Sequence, residues 1–227
     1  MNNIAFIDLE IDGRGKIVDA GAVKAGKSIH SSRIAEFVAF ISDADYLCGH
    51  NIIEHDYKYL KSFLPKDYAL IDTLYLSPLL FPRKPYHRLL KDDKLLSDEL
   101  NNPLNDALKA KELFEDEVNA FNNIDKRMQQ IYYELTASDI HFKGFFDQVG
   151  YSPDWRPFFL KKSTADSVKE VLAGKICANA DVNAAVKNSK IETAYSIALI
   201  STDDRNSITA PWVLKNYPHV ERIMFRL

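Results

Sequence analysis

The sequence predicts an α/β fold: a mixed five-stranded sheet flanked by helices, followed by an all-helical C-terminal region. Three observations carry this. Five short runs rich in apolar, β-branched and aromatic residues fall within the first 72 positions. Between and after them, apolar residues recur at helical spacing. Beyond about residue 122 only helical patterns remain. Strands followed by alternating helices build a layered α/β unit, so the predicted units are 1–121 and 122–227.

The first strand is NIAFIDL (3–9), nearly continuous in apolar residues. IDGRG then turns the chain, with Gly13 and Gly15 supplying freedom. KIVDAGAVKAG (16–26) and KSIHSS (27–32) continue an antiparallel meander. RIAEFVAFIS (33–42) places Ile34, Phe37, Val38 and Ile41 on one helical face. DYLCGHN (45–51) is a strand ending in a polar pair, EHDYKYLKSF (54–63) is helical, and YALID (68–72) is a buried strand. Asp72-Thr73 opens the helix TLYLSPLLF.

The segment from Pro82 to Pro103 is charged and interrupted by Pro85, an irregular, partly helical excursion. Residues 104–121 form a strong helix with a stripe of Leu104, Ala107, Leu108, Leu113, Phe114 and Val118. Six further stretches read as successive short helices, the last of them WVLKNYPHVERIMFRL. Ser163-Thr164 reads as a helix cap ahead of ADSVKEVL. The chain stops at MFRL inside a helical pattern, which predicts a piece of a longer protein.

Composition removes some function classes. The formal net charge is -3, from 29 basic and 32 acidic side chains, so bulk positive charge does not drive any binding of nucleic acid. Two cysteines, Cys48 and Cys177, build neither a disulfide framework nor a zinc site; both are expected to be reduced, buried and inert. There is no signal peptide and no apolar run of membrane-spanning length, so the expected compartment is the cytoplasm.

Asp8 and Glu10 sit two positions apart and therefore share a face near the end of the first strand. In α/β sheets, ligand sites collect at strand ends. GHNIIEHDYKYL places His50-Asn51 at another strand end and Asp56 on the first turn of a helix. NNPLNDALKAKELF places Asp106 early in the long helix. Each acid alone has an ordinary reading: a charged strand end, or a first-turn acid favoured by the helix dipole. Together they are four acids on three elements that such a fold can bring to one point. Converging carboxylates repel and call for cations. Mg²⁺ and Mn²⁺ take oxygen ligands, and a pair of them about 3.5–4 Å apart suits phosphodiester cleavage.

FIDLE, then GHN-x4-D-x3-L, then Asp106 followed by AxxAxxLF, resembles the DEDD superfamily of 3′-5′ exonucleases, of the ribonuclease-H-like fold. The resemblance covers about residues 1–121. It implies that Asp8, Glu10, Asp56 and Asp106 hold two Mg²⁺ or Mn²⁺ ions and are the catalytic residues. It further implies that Leu9, His50, Asn51 and Asn101 lie against the substrate, a single-stranded or frayed DNA 3′ end.

This chain departs from the family pattern in three places. The step from Asn51 to Asp56 is one residue longer than in proofreading subunits, and Ile11-Asp12-Gly13 follows the first motif where family members often have Thr and Gly. One family branch has a basic histidine five residues before the last acid, and another has a tyrosine four residues before it. Here those positions are Asn101 and Asn102, and asparagine cannot take a proton from water at neutral pH. The implied cage is complete while the expected base is missing. His87, in PYHRLLKDD, is a candidate substitute, with a surface histidine as the alternative; His55 adjoins Asp56 but on a helix is expected to point elsewhere.

A second, looser resemblance involves YHRLLKDDKLLSDELNNPLNDA, ICANAD and ITAPWVLKNYPHVERIMFRL, which look like the N-terminal region of certain bacterial RecQ-type helicase chains. It implies a helicase motor elsewhere on the same chain as a partner; no Walker A motif occurs within these residues. The aromatic stretch Tyr132-Tyr133, Phe145-Phe146, Trp155 and Phe158-Phe159 reads mainly as core, with base stacking as the alternative. Arg83-Lys84 and Lys161-Lys162 are candidate phosphate contacts whose ordinary reading is solvated surface.

Overall fold

The computed structural model describes residues 3–84, 86–89, 102–152, 162–202 and 210–227. Its α/β part is a mixed five-stranded sheet. β1 (Ile4–Ile11), β2 (Ile17–Lys24) and β3 (Lys27–Ser31) form an antiparallel meander, and β4 (Tyr46–Gly49) and β5 (Ala69–Asp72) add on parallel to β1. The strand order is β3-β2-β1-β4-β5, consistent with a ribonuclease-H-like fold. The turn after β1 is held by Asp12, whose side chain accepts from the Arg14 and Lys16 amides at 2.8 and 2.9 Å. The two-residue turn into β3 has positive φ at both Ala25 and Gly26, the hairpin geometry that follows strand twist.

The helices of this part are α1 (Ile34–Ile41), α2 (Asp56–Leu60), α3 (Thr73–Leu80) and α4 (Pro103–Asn123). α1 buries Phe37 and Ile41 against Ala5, Ile7, Leu9, Ala20, Ala22, Leu47 and Leu70, all on one sheet face. α4 covers the other face, where Phe6 meets Phe114 with ring centroids 5.7 Å apart. The α4 contact is set by Gly21: a Cβ there would overlap the Leu104 nitrogen and the Pro103 carbonyl carbon.

The C-terminal region is helical: α5 (Lys126–Thr136), α6 (Ile140–Val149), α7 (Thr164–Val171), α8 (Val182–Asn188), α9 (Lys190–Ser201), α10 (Pro211–Asn216) and α11 (His219–Arg226). These helices share one apolar cluster with Phe6, Cys48 and Ile71 of the sheet. α6 closes the open edge of β5, with Gly144 directly on the Leu70 carbonyl. Ser163 caps α7 as expected, accepting from Asp166 N at 3.1 Å.

Several expectations need correction. Helix α2 starts only at Asp56 and ends in a 3-10 turn, Lys61–Phe63. The final pattern is two helices, because Pro218 has no N–H to continue the first. Leu108 is 40% exposed, and the buried stripe of α4 runs through Ala107, Ala110, Phe114, Glu117 and Phe121 instead. Cys48 is buried, but Cys177 is exposed. His87 is 3% exposed rather than a surface residue; Ser77 Oγ lies 2.9 Å from its Nδ1. Tyr132, Phe145 and Phe146 are core, whereas Trp155, Phe158, Phe159 and Lys161 lie outside the described residues. Lys162 pairs with Glu170 at 2.7 Å. No helix of the described residues is long and apolar enough to cross a membrane.

Candidate functional site

β1 alternates its side chains between the two faces. Ala5, Ile7 and Leu9 go to the α1 face, so Phe6, Asp8 and Glu10 go to the face covered by α4. Asp8 lies opposite Gly21 and Glu10 opposite Asp19, with a register irregularity after Glu10. Both acids are partly buried. Leu9 itself is buried in the α1-side cluster, so only its main chain reaches the carboxylate side.

That main chain is what Asp56 holds. β4 pairs with β1 only as far as Phe6, which leaves the Leu9 amide beyond the ladder. Asp56 Oδ1 accepts from it at 3.0 Å, in place of a strand carbonyl. Asp56 is 2% exposed. Burial raises its pKa, while His55, with Nδ1 at 3.6 Å from Oδ1, pulls it down. The same contact raises the His55 pKa against a smaller burial penalty, with Glu10 adding to it. His55 therefore faces the acids, contrary to the expectation that it points elsewhere. It precedes the helix proper as the residue flanking α2, so helical geometry does not turn it away.

Asp106 lies in the first turn of α4. Pro103 and Leu104 abut Gly21, the strand partner of Asp8, and this packing carries the first turn of α4 to the β1 carboxylates. Asn102 is the cap of that helix: its Oδ1 accepts from Leu104 N at 3.0 Å and Asn105 N at 3.3 Å. Asn101 lies outside the described residues.

The loop between β4 and α2 is fixed by Asp72, at the end of β5. Asp72 is fully buried, and its carboxylate accepts from Asn51 N (2.9 Å), Ile53 N (3.1 Å) and Leu74 N (3.0 Å). Burial pushes its pKa up to about 6, against those three donors. Asn51 adopts a left-handed φ of 67° in this loop. His50 Nδ1 lies 3.0 Å from Thr73 Oγ1, and its Nε2 is buried. Burial lowers the His50 pKa to about 4, so the ring is neutral at physiological pH. His87 is likewise pulled to about 4 by burial.

The structure thus sets Asp56 on the amide of Leu9, which separates Asp8 from Glu10 in sequence, and packs the first turn of α4 on Gly21, the strand partner of Asp8. Among the described residues, no three His, Cys, Asp or Glu side chains are grouped closely enough to hold a metal ion. The donor chemistry, all carboxylate oxygen, fits hard cations such as Mg²⁺ or Mn²⁺. Asp72, Glu117 and His141 carry no sequence signal that assigns them to the site region, although the pairing of an acid with Thr at the end of an apolar strand marks Asp72 as a helix start. No protein-family model matches the chain, and no curated protein matches it.

Proposed function

We propose that the chain is a metal-dependent 3′-5′ exonuclease of the DEDD type that shortens single-stranded or frayed DNA ends. The observation that carries the reading is the Asp56 carboxylate on the Leu9 amide, one residue from both Asp8 and Glu10. Asp8, Glu10, Asp56 and Asp106 would hold two Mg²⁺ or Mn²⁺ ions, which when bound lower the pKa of water and offset charge on the phosphate. The chain's own residues supply position. Leu9 N orients Asp56, Asp72 fixes the loop that delivers it, and Gly21 admits the α4 turn that carries Asp106. The substrate strand would pass against the Leu9 main chain, His50, Asn51 and Asn101, the residues the family resemblance implies; the Leu9 side chain itself is buried on the opposite face.

The test is a 5′-labelled oligonucleotide incubated with Mn²⁺ and the parent protein or its Asp8→Ala variant. Metal-dependent shortening by the parent that Asp8→Ala abolishes is the expected result. A parent that leaves the oligonucleotide intact at high enzyme concentration overturns the proposal.

A second reading has its own support. Asn102, where one family branch has tyrosine, is occupied as a helix cap and offers no base. On that reading the domain binds a DNA end for a helicase motor with little or no turnover. Asn101→His discriminates: a large rate gain favours the accessory module, and brisk cutting by the parent with little change removes it.

A further inference from the structure

His141, on α6, reaches across to the loop that carries Asp56. Its Nδ1 lies 2.8 Å from Asp139 Oδ1 and its Nε2 lies 3.3 Å from Glu54 Oε1. A neutral imidazole has one N–H, so it can donate to only one of these carboxylates. With carboxylate oxygens at both nitrogens, the imidazolium is the form that satisfies both contacts. The ring also stacks on Tyr75, with centroids 3.8 Å apart and planes at 27°, an arrangement that favours a cation. Trp212 of α10 meets Tyr75 edge-on at 5.3 Å, and Tyr195 of α9 donates its hydroxyl to the Tyr75 carbonyl at 2.9 Å.

Glu54 sits two residues before Asp56, in the loop that Asp72 holds from the sheet side. This loop therefore has two anchors, one buried in the sheet and one from the C-terminal helices. We infer that His141 is a positioning residue through which the C-terminal helical region holds the Asn51–Asp56 loop, and so the Asp56 carboxylate, in place. The partner of the loop is this chain's own helical region. The consequence for catalysis rests on the proposed function, but the contact and its test do not.

The groups facing His141 are Asp139 from its own helix, Glu54 from the loop, Asp72 from β5 and Tyr75 from α3. Burial lowers the His141 pKa, but Asp139 and then Glu54 outweigh it, so the net shift is upward from 6.5. The clamp is thus complete at low pH and released as pH rises through the folded value.

The experiment is amide hydrogen exchange on the full chain, without metal or nucleic acid, in the parent, His141→Gln and Glu54→Gln. Glu54 is largely exposed, so Glu54→Gln tests the contact even where His141→Gln unfolds. Each variant is expected to speed loop exchange at residues 51–57 by about three- to tenfold while β1 and β4 stay protected. The double variant is expected to add nothing further. After correction for intrinsic exchange, loop protection in the parent is expected to fall as pH rises above 6.5 by more than in either variant, because the titrations of His55 and Asp72 act on the loop equally in all three proteins. Unchanged loop exchange in a folded Glu54→Gln protein overturns the inference, and so does a pH step as large in the variants as in the parent. A parent that lacks nuclease activity while the variants show the expected faster loop exchange counts against the proposed function alone.

Discussion

The two faces of the sheet do different work. The α1 face is apolar throughout: Ala5, Ile7 and Leu9 from β1 meet Ala20, Ala22, Phe37, Ile41 and Leu47 with no buried charge among them. The α4 face begins the same way, with Phe6, Cys48 and Ile71 against Phe114 and Phe121. It then changes along β1, because the next residues on that face are Asp8 and Glu10. Glu117 sits fully buried within the α4 stripe. One strand thus supplies folding energy through one face and carboxylates through the other, and the helix that covers the second face brings Asp106 with it. The contrast separates stability from chemistry: damage to the α1 side should weaken the protein without rearranging the acids, and damage to the α4 side should do both.

The largest expected effects test that separation directly. Phe37 is fully buried, and Phe37→Ala should cost about 3–5 kcal/mol in denaturant unfolding. The folded fraction should keep its remaining properties at the acids, including whatever Mn²⁺ affinity the parent has. Gly21→Ala should cost about 3 kcal/mol or more, because the added methyl overlaps main-chain atoms of α4 rather than a side chain that can rotate away. It should also displace the first turn of α4 and weaken Mn²⁺ binding in the folded fraction. Equal retention of affinity in both variants would break the comparison.

Asp72 sharpens it at the strand end. Asp72→Ala strands three N–H donors and should cost about 2–3 kcal/mol by thermal or denaturant unfolding. Asp72→Asn keeps an oxygen for Asn51 N and Leu74 N, which share Oδ1, and sets an amide NH₂ against Ile53 N. Its cost should be smaller, about 1 kcal/mol, with loop exchange rising at Ile53. An Asn variant as damaging as Ala would mean that the negative charge, and not the acceptor geometry, holds the loop.

How far these features are legible in the sequence follows from the range of the interactions involved. Strands and helices announce themselves through local periodicity, and the five strands and the order of helices were readable for that reason. The Asp8 and Glu10 pair was readable too, since strand alternation alone puts them on one face. Gly21 and Gly144 gave no signal, because a glycine in a strand or helix looks merely weak until the backbone that presses on it is known. His141 meets Glu54 across 87 residues, a separation no local pattern encodes. His55 escapes the pattern because helical spacing from Glu54 turns it away from Asp56, whereas α2 begins only at Asp56. Glu117 escapes the pattern because a charged residue in a helix is assigned to solvent by default, while Leu108, about two and a half turns earlier, fits the apolar stripe by type alone.

Glu117 gives a small effect, and the one whose sign is least intuitive. Both its oxygens are buried with no hydrogen-bond partner among the described residues. Burial raises its pKa well above the usual carboxyl value, Asp72 adds to the shift, and Lys84 opposes it. The folded protein therefore holds a proton that the unfolded chain gives up above about pH 4.5. Below that pH the group costs nothing electrostatically; as pH rises from there toward the folded value, stability is lost. Glu117→Met, similar in shape and unbranched, should accordingly stabilise the protein by about 1–2 kcal/mol at pH 7, and by much less at pH 4. His50 and His87 act in the opposite direction, since their lowered pKa values make the folded state reluctant to take up protons as pH falls below 6.5. The informative quantity is therefore the difference between variant and parent across pH, in which the histidine contributions cancel. A Met variant that is less stable than the parent at neutral pH would mean that the Glu117 carboxyl is worth keeping in the α4 face, and the division of labour between the two faces would have to be redrawn around it.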